Sequence, residues 1–259
     1  MNTKKILKID GSFGEGGGSI LRICAGYSVL FNQPINVYNI RANRSPPGLR
    51  LQHLLGLQTL TELTEGKLSE CEVGTQEITF IPGDNSLKEA IEVKIRTAAS
   101  VGLLLQPIQI ACLEFNKPEM VEIHLEGGGT IGKWAPGLNY LENVTYSLFR
   151  KAGIRIELNI KKYGFYPKGG ALTTFRLYPA KDHLKPLDLT ELGNISQIEG
   201  KIACTKSLSH AQVSERIKTS AERIIKEKLD IPTNIKYEYV DSLSTGVGLS
   251  LWAESNTGA

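Results

Sequence analysis

The sequence predicts a mixed α/β protein in which a βαβαββ unit occurs twice and is followed by a small α+β domain. Three observations predict it. Apolar residues alternate between strand and helix spacing in one order over 4–81, and the same order returns over 90–178. In each stretch the second helix follows a Pro-Gly pair, in "SPPGLRLQHLLGL" (45–57) and "WAPGLNYLENVTYSL" (134–148). Proline suits that place because its missing N–H would have no partner in the first helical turn. The composition then shifts at "YPAKDHLKP" (178–186), where two prolines mark a boundary.

In order, "KKILKI" gives strand 4–9, and "SILRICAGYSVLF", apolar at helical spacing, gives helix 19–31. Strand 35–40, helix 48–64 and strands 68–73 and 76–81 complete the first unit. The polar break "PGDNSLKE" separates it from strand 90–95, helix 97–110, strand 119–125, helix 136–152 and strands 154–161 and 171–178. The units thus occupy 1–83 and 88–180 of a large domain, 1–182. The remainder, 183–259, carries strand 196–205, an amphipathic helix 209–228 beginning near Ser209, and strands 234–240 and 247–254. One helix for about four strands reads as an incomplete small domain.

A chain of 259 residues that is 41% hydrophobic and 22% charged is long enough for a sizeable core. The net charge of +3 does not itself point to a polyanion, so a local cluster has to carry that argument. Cys24, Cys71, Cys112 and Cys204 are far apart, without CxxC or zinc-ligand spacing. Free thiols in a cytoplasmic protein are expected. No apolar run approaches the ~18 residues that span a bilayer, so no membrane role is expected.

Chemistry concentrates at strand-to-helix turns. "DGSFGEGGGSILRI" (10–23) places Glu15 among glycines before a helix whose first N–H groups form a seat for phosphate. It is neither a Walker A loop, having no Lys, nor GxGxxG, having Ser19 at the third glycine. A carboxylate there either caps the helix or binds a metal or ribose hydroxyl; Arg22, one turn on, faces either solvent or the same phosphate. "NIRANRSPPGLRLQH" (39–53) brings Arg41, Arg44 and Arg50 within ten residues, with Gln52 beside them. Guanidinium forks suit phosphate oxygens, a solvated basic loop being the alternative. His53 reads as a hydrogen-bonded structural histidine. In the second unit, Gln106 ends "GLLLQ", and "GKWAPG" offers Lys133, Trp134 and Pro136 as a cation with flat apolar surfaces. "KKYGFYPKGG" (161–170) interleaves basic and aromatic residues, a weak nucleic-acid signal.

Together, "IDGSFGEGGGSILR", "IRANRSPPGLRLQHL", "VGTQEITFIPG", "GLLLQ" and "YGFYPKGG", in this order and spacing, resemble the RNA 3′-terminal phosphate cyclase family. The resemblance implies a fold of repeated βαβαββ units, shared with enolpyruvyl transferases, with a small domain inserted before the last unit. It implies ATP-dependent conversion of an RNA 3′-phosphate to a 2′,3′-cyclic phosphate through a covalent enzyme-AMP and an RNA-adenylate. ATP and Mg2+ (or Mn2+) are the implied cofactors, and RNA with a 3′-phosphate end the implied partner.

By motif, the resemblance assigns Glu15 to the metal or the adenylate ribose. It assigns Arg22, Arg41, Arg44 and Gln52 to the RNA terminal phosphate, and Gln106 and Pro136 to the adenylate pocket. The chain departs from the family where Ser19 replaces a glutamine, Leu51 an arginine and Ile131 an acid. The family's nucleophilic histidine lies in a last repeat after the small domain, and none of His53, His124, His183 or His210 matches its motif. The expectation is therefore a cyclase ending inside its small domain, inactive alone, with apolar faces that promote self-association. The alternatives are a non-catalytic RNA-processing scaffold of the same lineage and, against the "GEGGG" and "RANR" motifs, an enolpyruvyl transferase.

Overall fold

A computed structural model describes residues 4–83, 86–180 and 183–257, with only the backbone of Glu254. The expected break between the units and the expected boundary at 182/183 each include residues outside that description, 84–85 and 181–182. So do the ends of the chain, 1–3 and 258–259.

Two four-stranded sheets share one topology. In the first, β1 (Leu7–Asp10) runs parallel to β2 (Ile35–Tyr38), which is antiparallel to β4 (Ile78–Ile81), itself flanked by β3 (Lys67–Leu68), giving the order β1-β2-β4-β3. In the second, β5 (Ala90–Ser100), β6 (Val121–Gly129), β7 (Ile156–Lys162) and β8 (Leu172–Leu177) take the order β5-β6-β8-β7 with the same directions. Period-two alternation explains the layering. Val37, Ile78, Phe80, Ile91, Val93, Ile123 and Phe175 are buried in one core, while intervening residues such as Lys94, Glu122 and Arg176 face outward.

The first helices of the two units pack against each other as well as on the sheets. α1 (Gly18–Leu30) crosses α3 (Val101–Ala111), which also contacts α2 (Leu51–Thr64). A Cβ at Gly26 would lie 2.6 Å from Ile110 Cβ and 2.8 Å from the Pro107 carbonyl, so only glycine lets α1 approach this closely. Helix 136–152 is instead three pieces: α4 (Leu138–Tyr140), a π-helical turn Leu141–Thr145, and α5 (Tyr146–Ala152). The Asn143 side chain donates to the Asn139 carbonyl at 2.7 Å, the acceptor an α-helical ladder would use.

The segment expected as strand 68–73 pairs only over Lys67–Leu68. Its continuation bonds elsewhere: Gly74 N–H donates to Leu49 O, Leu49 N–H to Thr75 O, and Ile40 N–H to Gln76 O. "VGTQ" thereby braces the arginine-bearing loop. β5 is longer than expected, and α3 starts at Val101 behind Ser100, whose hydroxyl accepts the Leu103 N–H at 3.3 Å.

Residues 195–255 form β9 (Ile195–Thr205), α6 (Val213–Leu229), β10 (Thr233–Val240) and β11 (Val247–Ser255) in the order β10-β9-β11. Among the described residues that is three strands, not about four, and α6 starts four residues later than Ser209 because 209–212 form a turn, the Gln212 N–H donating to the Ser209 carbonyl at 2.9 Å with Gln212 left-handed. α6 covers one face through Ile202, Cys204, Ile225 and Ile235, while Ala203 on the other packs against Tyr163 and Phe165. The helices cover the apolar faces of the large sheets, while Leu7 and the stacked pair Tyr27 and Phe31 are among the large apolar side chains left exposed. No helix among the described residues is long and apolar enough to cross a membrane.

Candidate phosphate-binding site

The turn from β1 to α1 is built by its own polar groups. Asp10 Oδ1 accepts from the Ser12 N–H at 2.9 Å and from its hydroxyl at 2.7 Å, holding the Asp10 carboxyl below its usual range. Gly14 and Gly16 then take positive φ, and α1 starts with Gly17 as N-cap, no side-chain cap and no acid in its first turn. Its opening N–H groups and positive dipole end are left for another acceptor.

The arginine loop meets this turn. Asn43 Nδ2 donates to the Ser12 carbonyl at 3.1 Å, and Arg44 forms an ion pair with Glu15, whose side chain is 76% exposed. Arg41, in the left-handed region at φ 53°, turns back on its own loop, Nη1 donating to the Pro46 and Gly48 carbonyls at 2.9 Å each. The rest of its fork stays open. Burial first, and Arg50 second, push the Arg41 guanidinium below its normal pKa.

Arg22 is the centre of the arrangement. Its Nε donates to Gln106 Oε1 of α3 at 2.7 Å, and its Nη1 lies 2.9 Å from His53 Nε2. Burial, then the nearby Arg41, lower its pKa to about 10. His53, 3% exposed at the start of α2, receives the Arg50 N–H on Nδ1 at 3.1 Å. A neutral imidazole has one lone pair, so it accepts from Arg50 or from Arg22 but not from both. Burial, then Arg22, Arg41 and Arg50, drive its pKa to about 3, and the ring stays neutral. Gly18 makes room for it: a Cβ there would overlap His53 Nε2 and lie 2.9 Å from Arg22 Nη1.

The structure therefore brings together Glu15, Arg22, Arg41, Arg44 and Gln106. Gln52 is half-buried in the first turn of α2, with no hydrogen bond to them among the described residues. Pro136 is exposed before α4, its carbonyl near Gly102, one turn before Gln106 on α3. Gln106 meets α1, where its side-chain amide oxygen Oε1 is taken by Arg22. Arg50 and His53 join the site, though His53 read as a structural residue; its signal was the third position of a helix placed by the Pro-Gly pair. Histidines elsewhere are apart from it: His124 pairs with Glu122 at 2.7 Å.

Among the described residues no three His, Cys, Asp or Glu side chains converge as a metal cage. A lone exposed carboxylate still fits Mg2+, which keeps several waters and is held by one or two carboxylates plus ligand phosphates.

A twice-repeated α/β fold thus gathers guanidiniums at a glycine-rich helix start, donors of the kind that suit phosphate oxygens. The chain belongs to the RNA 3′-terminal phosphate cyclase family, whose profile matches residues 13–246. It is similar to the RNA 3′-terminal phosphate cyclase of Methanopyrus kandleri, 38% identical over 98% of this chain and 71% of that protein. That of Thermococcus kodakarensis is 39% identical over 96% of this chain and 70% of its own length. That of Pyrococcus furiosus is 40% identical over 95% and 70%.

Proposed function

We propose that this protein binds the 3′-terminal phosphate of an RNA at Arg22, Arg41 and Arg44 and takes part in its ATP-dependent conversion to a 2′,3′-cyclic phosphate. The observation that carries this reading is Arg22. It is a desolvated cation whose hydrogen-bond partners, Gln106 and His53, are neutral, and which stands beside Arg41 and Arg50. Such a concentration of charge without a carboxylate on Arg22 is costly unless a dianion enters, when charge-assisted bonds to the free guanidinium nitrogens offset it.

In the reaction the family resemblance implies, AMP passes from an enzyme adenylate to the terminal phosphate, and the 2′-hydroxyl then attacks that phosphorus. Its proton is lost and AMP leaves. This chain's residues serve the phosphate side of those steps. Arg22, positioned by Gln106, and Arg41 neutralise the terminal phosphate and leave its phosphorus open to attack. Arg44 would exchange Glu15 for phosphate, leaving Glu15 to hold Mg2+ or a ribose hydroxyl; a bound Mg2+ would supply Lewis-acid stabilisation of the phosphoryl charge. Pro136 and the free amide of Gln106 line the adenylate side. The nucleophile is not assigned to His53, which is buried and held neutral, nor to His124, which pairs with Glu122.

The test is binding of a short oligoribonucleotide ending in a 3′-phosphate against the same one ending in a 3′-hydroxyl. The phosphate end should bind at least about tenfold tighter, and Arg22→Met should erase the preference. Equal affinities would end the proposal. Incubation with α-labelled ATP and Mg2+ should leave this polypeptide unlabelled; a labelled chain would place the nucleophile within it.

A further inference from the structure

Away from the helix start, a cavity of about 440 Å³ opens on the outer face of the second sheet, where Leu243, after β10, meets it. Lys94, Arg96, Lys162 and Lys168 line it, against one carboxylate, Glu126. The register explains the assembly. Lys94 of β5 is paired with Glu126 of β6, Glu126 with Leu172 of β8, and Leu172 with Lys162 of β7, so one row crosses the whole sheet with a lysine at each end. Arg96 follows Lys94 on the same face. Lys168 is brought in by the "YPKGG" loop, whose Lys168 N–H donates to Ser244 Oγ at 3.1 Å. Leu243 closes the wall over Gly170, where a Cβ would meet it at 2.6 Å.

None of the four basic side chains has a hydrogen-bond or ion-pair partner among the described residues. Natural surfaces usually intersperse the two charge signs, so four uncommitted cations around one cavity point to an anionic ligand. The ends of the row are three strand spacings apart, about 14 Å at the backbone, so the four cations can spread over more than one phosphate. They fit successive phosphates of a chain. Two exposed flat side chains lie on neighbouring loops: Tyr166, 80% exposed, two residues before Lys168, and Trp134, 87% exposed, with Lys133 over its ring at 5.0 Å. Thr130 and Gly164 join the two loops, the Thr130 N–H donating to the Gly164 carbonyl at 2.9 Å. Exposed aromatics beside a basic groove suit stacked bases rather than acidic peptide side chains.

We infer that this cleft is a second RNA site, which holds the sugar-phosphate backbone of nucleotides upstream of the terminal phosphate. The inference rests on the RNA reading proposed above. β5, which carries Lys94 and Arg96, leads into α3, whose Gln106 positions Arg22.

The test measures binding of a 3′-phosphorylated two-nucleotide and a twelve-nucleotide RNA across a salt series. Parent protein is compared with the fourfold variant Lys94→Ala, Arg96→Ala, Lys162→Ala, Lys168→Ala. The parent should bind the longer RNA on the order of tenfold tighter, and the variant should lose that gain. Its salt slope should become shallower by about 0.7 per phosphate contact removed. Preference for a 3′-phosphate over a 3′-hydroxyl should persist in the variant, because that reads the other site. A variant in which Lys and Arg are interchanged at the four positions controls for folding and should keep the length gain. Unchanged length dependence in the fourfold variant overturns the inference, as does an acidic peptide that displaces the long RNA as well as a second RNA does. Loss of 3′-phosphate preference in the parent would instead count against the proposed function.

Discussion

Arg22 of α1 and Gln106 of α3 are 84 residues apart in the chain, yet the Arg22 Nε donates to the Gln106 side-chain amide oxygen at 2.7 Å. The bond ties the first helix of one unit to the first helix of the other. Because the partner is neutral, Arg22 keeps its full charge for a ligand. Gln106→Glu should place a carboxylate on the guanidinium and lower affinity for a 3′-phosphate end by at least about tenfold, with Gln106→Ala lying between it and the parent. Titration calorimetry with the three proteins reads this; a Gln106→Glu protein that binds as the parent does would show that Arg22 is not on the ligand.

Gly18→Ala should destabilise the fold. The new Cβ overlaps His53 Nε2 and crowds Arg22 Nη1, and neither side chain is free to retreat from its partners. Overpacking of this kind costs about 1–3 kcal/mol, which urea denaturation would report. Gly132→Ala, where nothing lies within 4 Å, is the matched control and should unfold as the parent does.

Stability should fall in mild acid through His53. Its pKa drops from 6.5 to about 3 on folding, so between those values the unfolded chain binds the extra proton and the native state does not. The stabilisation is complete above about pH 6.5 and declines as pH falls toward 3, with a slope of up to about 1.4 kcal/mol per pH unit. Denaturation curves at pH 7, 6 and 5 measure it, and His53→Gln should flatten the dependence. An unchanged slope in that variant would assign the acid sensitivity to other groups.

Glu15→Gln should separate binding from stability. The Glu15–Arg44 pair is solvent-exposed, and such pairs contribute little, so unfolding should shift by less than about 0.5 kcal/mol. Nucleotide binding should lose its dependence on Mg2+ concentration. If the variant responds to Mg2+ as the parent does, Glu15 is not the metal ligand.

The sequence by itself determined the order of strands and helices, the duplication and the glycine-rich and arginine-bearing turns at which the site's residues lie. Those properties are written in local periodicity, in Pro-Gly helix starts and in glycine-rich turns, where chain conformation is set by near neighbours. Tertiary structure decided what no local pattern encodes. "VGTQ" lies between two expected strands, 68–73 and 76–81, yet its backbone groups pair with the arginine loop, a partner distant in the chain. Gln106 reads as a helix-end polar group until Gly26 lets α1 come close enough for Arg22 to reach it. His53 becomes a neutral prop for Arg22 only when packing removes its water, and Lys94 and Lys162 share a cleft only through cross-strand register. In each case the deciding energy is desolvation or hydrogen bonding between groups remote in sequence, and it exists only once the chain has folded.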